Sequence, residues 1–155
     1  EGIKELLGGL ERHTSLSKLL GPFFYSDLAE AYLLNGETEL ALTAITEALR
    51  LSEANAERFW QAEMLRLKGD IVRSSAADAS DQSDTWYRRA LDLSREQGAK
   101  SLELRTAVSM ARSWQSRGDS EKAHDLVAPV YNWFTEGFDT ADLTEANSLL
   151  HELRS

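Results

Sequence analysis

The chain has 155 residues, 42% of them hydrophobic, no cysteine and a formal net charge of −9. That length and apolar content suit one domain with a continuous core, and the acidity argues against non-specific binding to nucleic acid or to an anionic membrane surface. No apolar run approaches the roughly 20 residues of a membrane span and no charged-then-apolar leader opens the chain, so a soluble, cytoplasmic protein is expected, and the missing cysteines fit a reducing compartment.

The chain opens at Glu1, without Met, inside a helical pattern, as a piece of a longer protein would. Ile3, Leu6, Leu7 and Leu10 stand at helical spacing and give a helix over 1–13 one apolar stripe. Gly8 and Gly9 each cost it up to about 1 kcal/mol against Ala. A stripe with no partner ahead of it favours a homodimer through this N-terminal helix. Leu16, Leu19 and Leu20 lead to Gly21 and Pro22, where the chain either kinks a long helix or starts a new one with Pro at its first position. That helix should run to about Asn35 and end at Gly36. Its partner, near Glu37 to Ser52, turns Leu40, Ala41, Ala44, Ile45, Ala48 and Leu49 inward.

From Ala56 to Arg73 there are two apolar stripes, Ala62, Leu65, Gly69, Val72 and Trp60, Met64, Leu67, Ile71, so this helix should be packed between neighbours. Ser74 to Ser83, rich in Ser, Ala and Asp, reads as a solvated loop. Trp86, Tyr87, Ala90, Leu91 and Leu93 then give a short helix stopped at Gly98. Leu102, Leu104, Ala107, Met110, Ala111 and Trp114 open a third pair, continued after Gly118 by Ala123, Val127 and Val130. Pro129 should kink that last helix. Phe134 and Phe138 are expected to dock and make 133–140 a rigid connection, and Asp139 or Thr140 to cap a final helix with Leu143, Ala146, Leu149, Leu150 and Leu153 on one face. The expected organisation is a leftover helix (1–13), pairs over 16–52, 56–97 and 99–134, and a capping helix over 140–154.

Tyr25, Leu28, Ala29, Tyr32, Gly36, Ala41, Ile45 and Ala48 together resemble a tetratricopeptide repeat, whose pattern sets bulky and small residues at these intervals; its closing proline is replaced by Glu53. The seven residues from Ala29 to Gly36 and the twelve from Ala29 to Ala41 recur from Ala111 to Gly118 and Ala123. The anchors Ala29, Gly69 and Ala111 are 40 and 42 residues apart, longer than the roughly 34 of a standard repeat. In the middle pair, Tyr87 and Ala90 fit after an insertion of about two residues, and Ser83 replaces a small Ala. The resemblance implies an all-α, right-handed α–α superhelix of about seven to eight helices.

Three segments, Glu57 to Gly69, Gln97 to Arg105 and Ala128 to Thr140, further resemble the C-terminal repeat region of bacterial multidomain signalling proteins. In those, a class III adenylate cyclase or a DNA-binding regulator domain precedes a regulatory ATPase. That resemblance implies a cytoplasmic signalling parent with this piece as its sensor or scaffold arm. No cyclase aspartates and no Gly-rich phosphate loop ending in Gly-Lys-Ser/Thr occur here, so those activities would belong to other domains.

His13, His124 and His151 make no ligand pair, and no Gly-x-Ser-x-Gly elbow is present; neither metal, cofactor nor enzyme activity is expected. Tyr32, Trp60, Tyr87, Trp114 and Trp133 read as inter-helix core. The first helices of the pairs leave a polar strip for the concave face: Ser26 and Glu30, then Glu63, Arg66, Asp70 and Arg73, then Arg105, Ser109, Arg112 and Ser116. Glu63, Arg66, Asp70 and Arg73 can pair among themselves at i+3 and i+4. Arg105 and Arg112 have no acid at that spacing on the strip and are the more suggestive donors. Two readings follow: a module binding an acidic or mixed-charge peptide or partner domain, including another domain of the same chain, or an architectural spacer.

Overall fold

A computed structural model describes residues 14–56, 58–75 and 79–154. The stripe Ile3–Leu10, the dimer face it was expected to form, and His13 lie outside these. The described chain is all-helical and contains no strand: α1 (Thr14–Leu34), α2 (Thr38–Ala54), α3 (Gln61–Ser75), α4 (Ser80–Glu96), α5 (Lys100–Gln115), α6 (Ser120–Tyr131) and α7 (Ala141–Glu152).

Pro22 lies inside α1, which continues through it as one helix. Helices α1 and α5 end alike. Gly36 and Gly118 take φ of +79° and +87°, a left-handed conformation that side-chain-bearing residues resist. The next amide then reaches back to cap the helix, Glu37 N–H to the Tyr32 carbonyl at 2.9 Å and Asp119 N–H to the Trp114 carbonyl at 3.0 Å. The chain thereby reverses tightly, and Ala29 and Ala41, like Ala111 and Ala123, are fully buried where the paired helices meet. Small side chains at these points let the backbones approach closely.

Successive helices pack in pairs, α1 on α2, α3 on α4 and α5 on α6. The odd-numbered helices also touch in a row, α1 to α3 to α5 to α7, whereas α2, α4 and α6 make no such contact with one another. A row that closes on one side and opens on the other is curved, with α1, α3, α5 and α7 on its inner side. The core is a run of buried residues, one part around Ile45, Ala62 and Ile71, the next around Leu104, Met110, Val127 and Leu149.

Several expectations are corrected. The stretch read as a loop to Ser83 is helical from Ser80, and Ser83 and Asp84 are buried, because their polar groups find partners inside the fold. Leu40, expected inward, is 48% exposed; Ala41 beside it takes the inner position, and Leu40 flanks an outer groove with Tyr25 and Tyr32. Tyr87 and Trp114 are core, but Trp60 and Trp133 are 39% and 59% exposed, since both lie in turns off the buried helix faces. Phe138 is 48% exposed and only leans on Tyr131, ring centres 5.8 Å apart. Thr140 precedes α7 but its hydroxyl donates to the Gly137 carbonyl at 2.8 Å, and neither it nor Asp139 caps the helix through a side chain.

Glu103, in the first turn of α5, is buried and accepts hydrogen bonds from Arg95 Nε at 2.8 Å and Lys100 Nζ at 2.7 Å. Burial works to raise its pKa, but these bonds and the two positive charges outweigh it and hold the carboxyl below its ordinary value. A carboxyl depressed on folding stabilises the fold above its unfolded pKa, and that contribution vanishes as pH falls through the folded value. Glu103→Gln should therefore cost about 1–2 kcal/mol at neutral pH, and denaturant curves for the two proteins should converge in acid below the ordinary glutamate range. A gap that persists there would show that the carboxylate charge is not the cause.

Candidate functional site

The inner side of the row holds an open groove of about 770 Å³. Its walls come from four helices. Glu30 and Leu33 stand on α1, Glu63, Arg66, Asp70 and Arg73 on α3, Arg105, Val108, Ser109 and Arg112 on α5, and Asp142 and Glu145 on α7. All of Glu30, Glu63, Arg66, Asp70, Arg73, Arg105 and Arg112 thus line one cavity. They do so because residues three or four apart share a helix face and the odd-numbered helices lie side by side. Ser26 borders an adjoining cleft, whereas Ser116 is off the groove and turns its hydroxyl to the Ser113 carbonyl.

Arg66 is the centre of the charge network. Its side chain is 14% exposed. Nε donates to Glu63 Oε2 at 3.0 Å, Nη2 to Glu63 Oε1 at 2.8 Å, and Nη1 to Asp70 Oδ2 and to Ser109 Oγ, the latter at 3.3 Å. Burial disfavours the guanidinium charge, but the Glu63 hydrogen bonds and the charges of Glu63, Asp70 and Glu30 overcome it and push the pKa up. The other oxygen of Asp70 accepts the hydroxyl of fully buried Tyr87 at 2.6 Å. Burial, then the Asp70 charge and hydrogen bond, drive the Tyr87 phenol well above its ordinary pKa. The chain Tyr87–Asp70–Arg66–Glu63 fixes the groove floor to the core.

Arg105 and Arg112, which have no acid three or four residues away on the strip, are both engaged by acids from farther along the chain. Arg105 Nε donates to both oxygens of Asp142, at 3.0 and 2.8 Å, and its guanidinium lies 3.7 Å from Glu63. Arg112 Nη1 donates to Glu152 and, at 3.5 Å, to Gln115 Oε1. Both carboxylates come from α7, some 40 residues on, beyond what helical spacing within α5 could reveal. Asp142 and Glu145 stand three residues apart on α7, and that spacing is the signal in the sequence that this helix presents an acidic face to a neighbour. Arg73 is exposed at the rim beside the Tyr87 hydroxyl and has no ion-pair partner among the described residues.

Among the described residues the histidines offer no centre. His124 Nδ1 lies 3.6 Å from Asp125 and its Nε2 3.4 Å from Arg154, and no group of metal-ligating side chains occurs among the described residues. Among them, too, no helix is long and apolar enough to cross a membrane. No family model matches the sequence, and no curated protein matches it either.

Proposed function

We propose that the chain is a tetratricopeptide-like interaction module that holds a peptide or partner domain in the groove of α1, α3, α5 and α7, and that it catalyses nothing. The observation that carries this reading is the groove itself: its size falls within the roughly 300–1,000 Å³ of ligand sites, yet charged side chains from four helices line it. Such a lining suits peptide groups and charged side chains and ill suits an apolar small molecule. The repeated Ala–Gly–Ala register and the curved row support a right-handed α–α superhelix. By the resemblance of its segments, the module serves as the sensor or scaffold arm of a bacterial cytoplasmic signalling protein, with other domains of that protein among its partners.

The arginines are not idle donors, which narrows the expected partner from acidic or mixed-charge to mixed in charge. Arg66 is largely buried and satisfied, so it orders the site. The Arg105–Asp142 and Arg112–Glu152 pairs are exposed and each worth about 0–1 kcal/mol, so a partner carboxylate exchanges with Asp142 or Glu152 at little cost. The same pairs favour a second reading, in which they merely tie α7 to α5 and the module is a spacer or oligomerisation element.

Titrating isotope-labelled protein with fragments of its parent, and following backbone amide shifts, separates the two. Binding should move signals of Arg66, Ser109 and Arg112, and the Arg105→Glu, Arg112→Glu double variant should weaken it about tenfold, or about 1.4 kcal/mol. If no fragment perturbs the groove, the spacer reading stands in its place.

A further inference from the structure

The groove continues past Glu30 into a cleft of about 160 Å³ between α1 and α3, and there its lining becomes aromatic. Phe23 and Trp60 border it, ring centres 6.3 Å apart, and Phe59 meets Trp60 edge-on at 4.9 Å. These rings are 46%, 39% and 69% exposed for Phe23, Trp60 and Phe59. Scattered exposed apolar residues are ordinary, but three large rings in mutual contact at the mouth of a cleft make a patch of the kind that partners cover.

Charge decides what covers it. Within the cleft, Glu63 is taken up by Arg66, and Arg105 by Asp142. Asp27 and Glu30, one turn apart on α1, form no ion pair among the described residues, although the Arg66 guanidinium feels the Glu30 charge, so the cleft presents two carboxylates without a direct salt bridge beside aromatic faces. Their mutual repulsion is felt: burial, and then the Glu30 charge, raise the Asp27 pKa. An apolar partner would bury these acids unpaired, and an acidic one would meet them with like charge. A guanidinium or ammonium satisfies both features at once, lying against a ring face while it donates to carboxylates.

Building on the groove reading, we infer that the occupant is a basic segment that seats an arginine or lysine between the Phe23 and Trp60 rings and the Asp27 and Glu30 carboxylates, with a neighbouring apolar side chain on Phe59. The segment then runs along the groove towards Arg105 and Arg112, where its own carboxylates, if any, are received.

Two capped peptides of equal length test this, one alternating arginine and leucine, the other glutamate and leucine, titrated into labelled protein. The arginine peptide should shift the Trp60 indole signal and the amides of Asp27 and Glu30. Its affinity should fall at least tenfold in the isosteric Asp27→Asn, Glu30→Gln double variant and in Trp60→Ala, with thermal melting by circular dichroism unchanged. Equal or tighter binding of the glutamate peptide, or full affinity in the double variant, overturns the basic-segment inference; shifts at Arg66 and Ser109 in that case leave the groove reading intact. Silence of both peptides across the groove sinks both. Self-association in sedimentation that Trp60→Ala abolishes would assign the patch to a second copy of the chain and likewise overturn the inference.

Discussion

Replacing Asp84 by Ala is expected to lower the unfolding free energy by about 2–4 kcal/mol, far more than a surface substitution. Asp84 is 4% exposed and is the acceptor for two groups of α5 and its end: Trp114 Nε1 at 2.9 Å and Arg117 Nη2 at 2.9 and 3.1 Å. Trp114 is itself buried. Truncation leaves its indole N–H without a partner or water, and the cost of a stranded buried donor exceeds the modest net value of the bond it made. Asp84→Asn keeps one acceptor oxygen and should cost about half as much. Urea unfolding monitored by tryptophan fluorescence distinguishes them. An alanine variant within about 0.5 kcal/mol of the parent would mean that the Asp84 cluster does not hold α4 to α5. Because α5 also carries Arg105, Ser109 and Arg112, the variant should disturb the groove as well as the core.

Asp84 also shows where sequence reasoning fails. The run from Ser74 to Ser83 has the composition of a loop, yet it is helical from Ser80 and leads directly into Asp84, whose partners lie 30 and 33 residues away. The same holds for Arg105, whose partner Asp142 is 37 residues on and on another helix. Periodicity reports on one helix at a time, so it placed Glu63, Arg66 and Asp70 correctly on a shared face and missed every carboxylate that α7 brings to the groove. It succeeded where the constraint is local or steric. Ala29, Gly36 and Ala41 are set by a left-handed turn and a close crossing, and Ala111, Gly118 and Ala123 repeat both, which is why this register could be read without any structure. Large aromatics misled in the opposite way: Trp60 and Trp133 stand at or beside repeat packing positions and so read as core, while their positions in turns put them at the surface.

Gly69 joins core and groove, and its substitution should show a sign reversal. A Cβ built there meets Tyr87 Cε1 at 2.5 Å and Cδ1 at 2.6 Å, closer than carbon atoms tolerate. The ring has nowhere to go: Tyr87 is fully buried and its hydroxyl is held by Asp70 at 2.6 Å. Two effects compete in Gly69→Ala. Alanine is favoured over glycine inside a helix by about 1 kcal/mol, and overpacking a rigid core costs about 1–3 kcal/mol. The clash is directed at a ring that anchors Asp70 and through it Arg66, so overpacking should win, with a net loss of about 1–2 kcal/mol; Gly69→Val, with two further methyl groups and a β-branch, should lose about 3 kcal/mol or more. In a Tyr87→Leu background the obstructing ring atoms are gone. There Gly69→Ala should be neutral or stabilise by up to about 1 kcal/mol, as helix propensity alone dictates. The double-mutant cycle from denaturant unfolding would then give a large coupling between positions 69 and 87. If Gly69→Ala destabilises equally in both backgrounds, its cost does not come from the tyrosine ring.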